Sequence, residues 1–194
     1  MRKEQKANYP ESARGAAALL VRMVLEDGAY TNIALNQYLR GSRLSDLDRR
    51  LATELVYGTV KASGTLDWYL AQCVSRPLDK VAGDILAILR ISTYQLLYMT
   101  RIPASAAVNE AVKLARSVSH EGSAKFVNGV LRGLLRKQEA GAFVLPDAEK
   151  QDADYLSLKY YHPRWLVKRW LGPPNVCWRL ITRLRRFACV PIRW

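Results

Sequence analysis

The chain has 194 residues, of which 49% are hydrophobic, and its formal net charge is +13 at pH 7. This length fits one domain with part of a second, the apolar fraction suffices for a sizeable core, and the charge favours a polyanionic partner, most often nucleic acid. Five arginines and no acidic residue follow Gly172. Without these arginines the net charge falls from +13 to +8, which is still basic.

The cysteine and histidine content limits the chemistry. The cysteines, at positions 73, 177 and 189, show neither zinc-ligand spacing nor a disulfide framework, and two histidines exclude a histidine-rich metal site. Cys73 lies in an apolar helical run, which indicates a buried structural thiol. No signal core follows the N-terminus, and no apolar run approaches membrane-spanning length. We therefore expect a cytoplasmic protein with no membrane or metal partner.

Apolar residues recur at helical spacing through most of the chain, and no stretch combines alternating polarity with hairpin turns. The predicted fold class is all-α. Residues 139–152 read as a linker, and residues 153–171 as one or two short helices with a break at His162-Pro163. Seven helices are expected before the linker: 11–26, 31–39, a long one after the N-cap Ser45, 66–74, 78–98, one from Pro103 and one after 121–123.

A basic cluster flanks the first predicted helix and consists of Arg2, Lys3, Lys6 and Arg14. Lysines and arginines in this arrangement can contact successive phosphates, and arginine can also stack on bases. The alternative is a solvated basic leader with no ligand.

Two later helices each carry an asparagine inside an apolar run: Asn109 in PASAAVNEAV (103–112) and Asn128 in KFVNGVLR (125–132). A buried amide must be hydrogen-bonded, so we expect both side chains to be buried and paired. Four cations on the same helices either extend the basic surface or are ordinary exposed charges: Lys113, Arg116, Lys125 and Arg132.

These two segments resemble the closing helices of the NusB-like RNA-binding domain, and LVYGTVK (55–61) resembles its third helix, in which tyrosine precedes glycine. The resemblance covers most of residues 11–171. It is strongest to the domain at the N-terminus of the bacterial 16S rRNA (cytosine-5) methyltransferase family, RsmB (Sun/Fmu). The segment SLKYYHPRWLV (157–167) resembles the connection from that domain to the catalytic domain.

The resemblance implies a NusB-like helical bundle over residues 11–138 and RNA, in particular 16S rRNA, as partner. In such domains the arginine-rich N-terminal segment and the first helix contact RNA, and Arg14 matches that helix's characteristic arginine. The RNA-binding residues that we predict are Arg2, Lys3, Lys6, Arg14, Lys113, Lys125 and Arg132.

Intact members of that family use S-adenosylmethionine and a cysteine thiolate that attacks the pyrimidine. This chain has no two glycines separated by one residue and no Pro-Cys or Thr-Cys pair, and Cys73 has no plausible activator. We expect no catalytic, cofactor-binding or metal-binding residue here, and no activity from the chain alone.

The pattern of the family stops after Gly172. One interpretation of residues 172–194 is a basic RNA-binding tail. The interpretation that we favour is a shifted reading frame. If the frame is moved back by one base and the free bases are chosen suitably, the codons of Cys177 to Trp194 can encode Ala-Asn-Asn followed by Pro-Pro. The same residues occur at the start of the family's catalytic domain. The tail arginines would then form no RNA site.

Three functions follow from the sequence. The first is RNA binding by the N-terminal domain of an rRNA cytosine-5 methyltransferase whose catalytic domain is absent from this chain. The second is a free-standing NusB-like antitermination factor, which would not need the segment from Tyr155 to Trp170. The third is a helical protein-interaction module.

Overall fold

The computed structural model describes residues 9–146 and 153–171, and every regular element in these ranges is helical, which confirms the all-α fold class. The chain divides into two compact units, 1–144 and 145–194. Predictions for residues 1–8, 147–152 and 172–194 lie outside the described residues. The α-helices are α1 (Ala13–Leu25), α2 (Thr31–Gly41), α3 (Asp46–Ala71), α4 (Gly83–Tyr98), α5 (Ala104–Val118), α6 (Glu121–Glu139), α7 (Ala153–Tyr160) and α8 (Arg164–Leu171).

Two helices of the first unit begin at serine caps. The Ser12 hydroxyl accepts a hydrogen bond from the Gly15 amide at 3.1 Å and begins α1. The Ser45 hydroxyl accepts one from the Asp48 amide at 3.2 Å and begins α3, as predicted. Each serine satisfies one amide that has no partner inside its helix.

Two predicted helix boundaries are wrong. The helix expected at 66–74 is the continuation of α3, because buried positions persist at helical spacing from Ala52 through Thr65 to Leu70. The helix expected at 78–98 is a 3-10 turn at Leu78–Lys80 followed by α4, which begins only at Gly83. The first unit therefore has six α-helices and one 3-10 turn within its described residues.

Helix α4 lies at the centre of the first unit. It packs against α1, α3, α5 and α6, and its buried side chains include Ile88, Leu89 and Ile91. A helix that is apolar on most of its circumference is expected in such a position. Since α4 lies between α1 and the α5–α6 pair, cationic residues on α1 and on that pair belong to different faces of the unit.

A close approach between α3 and α4 explains the glycine at position 58. A Cβ built there would lie 2.1 Å from Cζ of Tyr94, whereas a Cβ at Gly64 in the same helix would meet nothing within 4 Å. Gly58→Ala should lower the free energy of unfolding by about 1–3 kcal/mol because the ring must leave its site. Gly64→Ala should raise it by about 0.5–1 kcal/mol. Urea denaturation of both variants checks the pair, and equal effects would contradict the packing argument.

The described part of the second unit contains the helices α7 and α8. Tyr155, Leu156 and Val167 form its small apolar core. Tyr161 has a φ of 60°, and the His162 amide donates to the Ser157 carbonyl at 3.2 Å, which ends α7 in a left-handed turn. The predicted break at His162-Pro163 is therefore the connection between α7 and α8.

Candidate nucleic-acid interface

Three of the predicted RNA contacts lie outside the described residues: Arg2, Lys3 and Lys6. The first residue that the structure describes is Tyr9, and its side chain is held by hydrogen bonding. The Tyr9 hydroxyl donates to Asp84 Oδ1 at 2.6 Å, and Arg22 Nε lies 3.4 Å from the same oxygen. Burial, reinforced by the hydrogen bond to Asp84, raises the pKa of Tyr9 above its usual value, so the hydroxyl keeps its proton. Tyr9, the first described residue, is therefore held beside the start of α4.

Arg14 is held by a buried glutamine. Its Nε donates to Oε1 of Gln95 at 2.8 Å, and Gln95, which is 1% exposed, donates from Nε2 to the Ile91 carbonyl at 3.2 Å. The other two guanidinium nitrogens of Arg14 have no hydrogen-bond partner among the described residues. Arg14 is thus half-buried and oriented, with donors left for a ligand.

The outward face of α5, opposite its buried residues, carries Asn109, Lys113 and Arg116. Lys113 Nζ lies 2.9 Å from Glu110, and Arg116 forms two hydrogen bonds to Glu121, of 2.6 and 3.0 Å. These bonds from Arg116 lower the pKa of the Glu121 carboxyl, which stays ionised. Two of the cations on this face are therefore partly neutralised by neighbours.

The expectation that Asn109 and Asn128 are buried and hydrogen-bonded is wrong. Asn109 is exposed and Asn128 is only half-buried, and neither side chain has a hydrogen bond to another described residue. The apolar run around each residue belongs to one side of its helix, and the asparagine lies off that side. In α5 the sequence did not distinguish these arrangements, because alanine occurs at exposed positions such as Ala104 as well as at buried ones such as Ala107.

The outward face of α6 is a row of cations. Lys125, Arg132 and Arg136 are exposed at spacings of seven and four residues, opposite the buried Val127, Leu131 and Leu134. Among the described residues none of the three forms a salt bridge. The row spans about 16 Å along the helix axis at 1.5 Å per residue. We call Lys125, Arg132 and Arg136 the α6 row.

Gly129 lies on this face between Lys125 and Arg132, and a Cβ there would meet nothing within 4 Å. Packing inside the unit therefore does not require glycine at this position. The absence of a side chain leaves the helix backbone accessible between the two cations.

The predicted site residues thus form two groups. Lys113, Lys125 and Arg132 lie on the outward faces of the antiparallel pair α5–α6, and Arg14 lies on α1 with its guanidinium against α4. Sequence reasoning missed Arg136, although its spacing of four residues from Arg132 was a sufficient signal.

The rest of the described chain offers little other site chemistry. Cys73 is half-buried against the core, and burial raises the pKa of its thiol, as suits a structural cysteine. No cluster of three or more histidine, cysteine or acidic side chains able to hold a metal occurs in residues 9–146 and 153–171. In the same ranges, no helix has both the length and the apolarity needed to cross a bilayer.

Comparison with known proteins identifies the family of this chain and several similar proteins. Residues 11–136 match the NusB family. The chain is 41% identical over 157 residues to a probable ribosomal RNA small subunit methyltransferase B from Synechocystis and 37% identical over 159 residues to one from Bacillus subtilis. These matches cover 81% and 82% of this chain and 34% of each relative, so the chain spans about a third of their length.

Solved structures show the same fold. The chain superimposes on NusB of T. maritima with a TM-score of 0.60 and 21% identity, covering 69% of this chain and 98% of that one. A chain from the complex of antitermination factors NusB and NusE with double-stranded RNA also gives a TM-score of 0.60, with 20% identity and coverage of 65% and 95%.

Proposed function

This chain belongs to the NusB family over residues 11–136, and from that premise we propose that it is the RNA-binding region of a methyltransferase that modifies 16S rRNA. The observation that carries the proposal is the α6 row, three exposed cations that form no salt bridge with a described residue. Such a row can replace the counterions of a phosphate backbone, which is the main source of sequence-independent affinity for nucleic acid.

The leader and Arg14 add a second contact to this proposal. Arg2, Lys3 and Lys6 would follow the phosphates, and Arg14 would present the guanidinium nitrogens that Gln95 leaves free. An arginine that is oriented before binding loses less side-chain entropy per hydrogen bond than a mobile one.

Two observations favour a methyltransferase over a free-standing antitermination factor. The similarity to the methyltransferase relatives extends over 157 residues or more, beyond the range 11–136 that matches NusB. The chain also continues into α7 and α8, whose sequence resembles the connection to a catalytic domain. NusB remains the comparison for the fold, since one similar chain comes from a complex of the antitermination factors NusB and NusE with double-stranded RNA.

S-Adenosylmethionine does not fit the residues present. The sequence has no two glycines separated by one residue, and the one described cysteine, Cys73, has a raised thiol pKa. We assign no methyl-transfer step to this chain and propose that the cofactor and the catalytic cysteine belong to the part of the relatives that it does not match. The proposed compartment is the cytoplasm, where rRNA is modified.

A salt series tests the proposal. Fluorescence anisotropy with a labelled 16S rRNA fragment should give an affinity that falls linearly with salt on logarithmic axes, by at least tenfold between about 50 and about 200 mM. Unlabelled 16S rRNA should compete better than 23S rRNA. A matched variant with all five tail arginines changed to glutamine should bind as the parent does.

Each outcome separates one alternative. Loss of binding in the tail variant would assign the affinity to residues 172–194 rather than to the α6 row. Equal competition by both rRNAs would contradict 16S rRNA as the specific partner and leave a general RNA-binding protein. No salt-dependent binding would contradict RNA recognition and favour a protein-interaction module.

A further inference from the structure

Helix α8 of the second unit has an inner face that is held by contacts with α7 and with the turn between the two helices. Val167 lies in the small apolar core of this unit and is 1% exposed. Trp170, three residues later, packs edge-on against His162, with ring centroids 5.2 Å apart and planes at 81°. Arg164 forms a salt bridge with Asp154 of α7. These contacts determine which residues of α8 point outward.

The outward face of α8 carries Trp165, Lys168 and Arg169, all of them exposed. Residues three and four positions after Trp165 lie on the same face of the helix, one turn along. Trp165 is 66% exposed, whereas Trp170 of the same helix is half-buried. None of the three outward side chains makes a hydrogen bond, ion pair or ring contact with a described residue. Packing within the described chain therefore does not account for a tryptophan at position 165.

The charges around Trp165 favour a polyanion as the partner of this face. Lys168 and Arg169 lie on either side of the indole around the helix. The one acidic residue of α7 and α8, Asp154, is already paired with Arg164. An aromatic ring beside unpaired cations is the arrangement of sites for single-stranded nucleic acid, in which a base stacks on the ring and the cations bind the backbone.

A bilayer surface also takes up tryptophan beside cations, but it needs a broad apolar face on the helix. Trp165 is the one apolar side chain on the outward face of α8, because Val167 is buried and three others are half-buried: Leu166, Trp170 and Leu171. A single indole between two cations gives a bilayer little apolar area to bury. It does provide the surface that one base requires.

We propose that α8 is a further RNA contact of this chain, in which Trp165 stacks on one unpaired base of single-stranded RNA while Lys168 and Arg169 bind the phosphates beside that base. This inference rests on the proposed RNA-binding function. It adds a preference for single strands, which the α6 row does not supply because phosphate contacts are common to single and double strands. Stacking tolerates every base, so we expect no sequence preference from Trp165.

Two substitutions of Trp165 in the full chain test the stacking. Trp165→Leu should weaken binding of oligouridine, which is single-stranded, about tenfold and should keep the salt slope of the parent, because no phosphate contact is lost. Trp165→Phe keeps a ring and should retain most of the affinity. Binding of a duplex RNA of the same length should not change in either variant, because the bases of a duplex are already stacked.

The matched control is Tyr30→Leu, which removes a ring that is 77% exposed in the first unit. The residues three and four positions after Tyr30 are Ile33 and Ala34, so this ring has no cation beside it on its helix. The control should bind oligouridine as the parent does.

The two cations should give a different signature from the indole. Replacing Lys168 and Arg169 together by glutamine removes two phosphate contacts and leaves the ring in place. On oligouridine this double variant should reduce the slope of log Kd against log salt by about 1.4. An unchanged slope would contradict phosphate binding by this face.

A direct readout accompanies the affinities. Oligouridine should quench the tryptophan emission of the parent, and the quenching should be smaller in Trp165→Phe, since a stacked base quenches the indole. Unchanged affinity in Trp165→Leu with unchanged quenching in Trp165→Phe, while salt-dependent binding stays intact, would overturn the stacking site and leave the proposed function standing. Equal losses on oligouridine and on the duplex would also overturn it.

Two further outcomes would contradict the inference. Binding of the parent, but not of Trp165→Leu, to vesicles of phosphatidylcholine and phosphatidylserine would assign this face to a bilayer surface instead. Absence of RNA binding by the parent would overturn both the stacking site and the proposed function.

Discussion

Replacing Lys125 and Arg132 together by alanine is expected to weaken binding of a 16S rRNA fragment roughly tenfold or more at about 50 mM salt. Both side chains are exposed on the outward face of α6, and neither forms a salt bridge with a described residue. Each is therefore free to displace one condensed counterion from the RNA. On a single strand two such contacts should reduce the slope of log Kd against log salt by about 1.4.

The matched control is Arg50→Ala with Lys61→Ala. These two residues lie on the exposed side of α3 with the acidic Glu54 between them, and their replacement changes the net charge by the same amount. The control should keep the parent slope and nearly the parent affinity. If both double variants lose the same affinity, the RNA responds to overall charge, and α6 is not a specific contact. Circular dichroism excludes unfolding, which is not expected for exposed helical positions.

The second large effect is expected for Asp67→Ala, which should lower the free energy of unfolding by roughly 2–3 kcal/mol. Arg90 on α4 donates from Nε and Nη2 to the two carboxylate oxygens of Asp67 on α3, each at 2.8 Å. The Arg90 side chain is only 12% exposed, so it has little access to water once its partner is removed. The expected loss is set below that of a fully buried pair because Asp67 is 31% exposed.

The chain contains a control of the same geometry. Arg116 forms the same two-bond arrangement with Glu121, at 2.6 and 3.0 Å, but both side chains are 55% exposed. Glu121→Ala should therefore change the urea midpoint far less than Asp67→Ala, because water replaces the lost partner. Equal losses would mean that hydrogen-bond geometry rather than burial determines the value of these pairs.

Local sequence signals sufficed to predict the helical class, several helix ends and part of the interface. The Ser45 hydroxyl caps α3 by accepting a hydrogen bond from an amide three residues away. The left-handed turn at Tyr161, before Pro163, likewise involves only neighbouring residues. The positions of Lys125 and Arg132 on one face follow from a helical repeat alone. Predictions failed where the outcome depends on what packs against a helix. No cap or proline separates 46–65 from 66–71, so one buried face keeps α3 continuous.

The sequence by itself determined the helical class, the basic balance, the absence of cofactor and thiol motifs, and the cations of α6, because each depends on residue type or on spacing within one helix. Only the tertiary structure decided that Asn109 is exposed, that Gln95 orients Arg14 and that Asp67 neutralises Arg90. It alone placed Phe143 edge-on against Tyr69, with ring centroids 4.7 Å apart. These contacts join residues between 23 and 81 positions apart or on different helices, and their geometry is set by packing around α4 rather than by any local pattern.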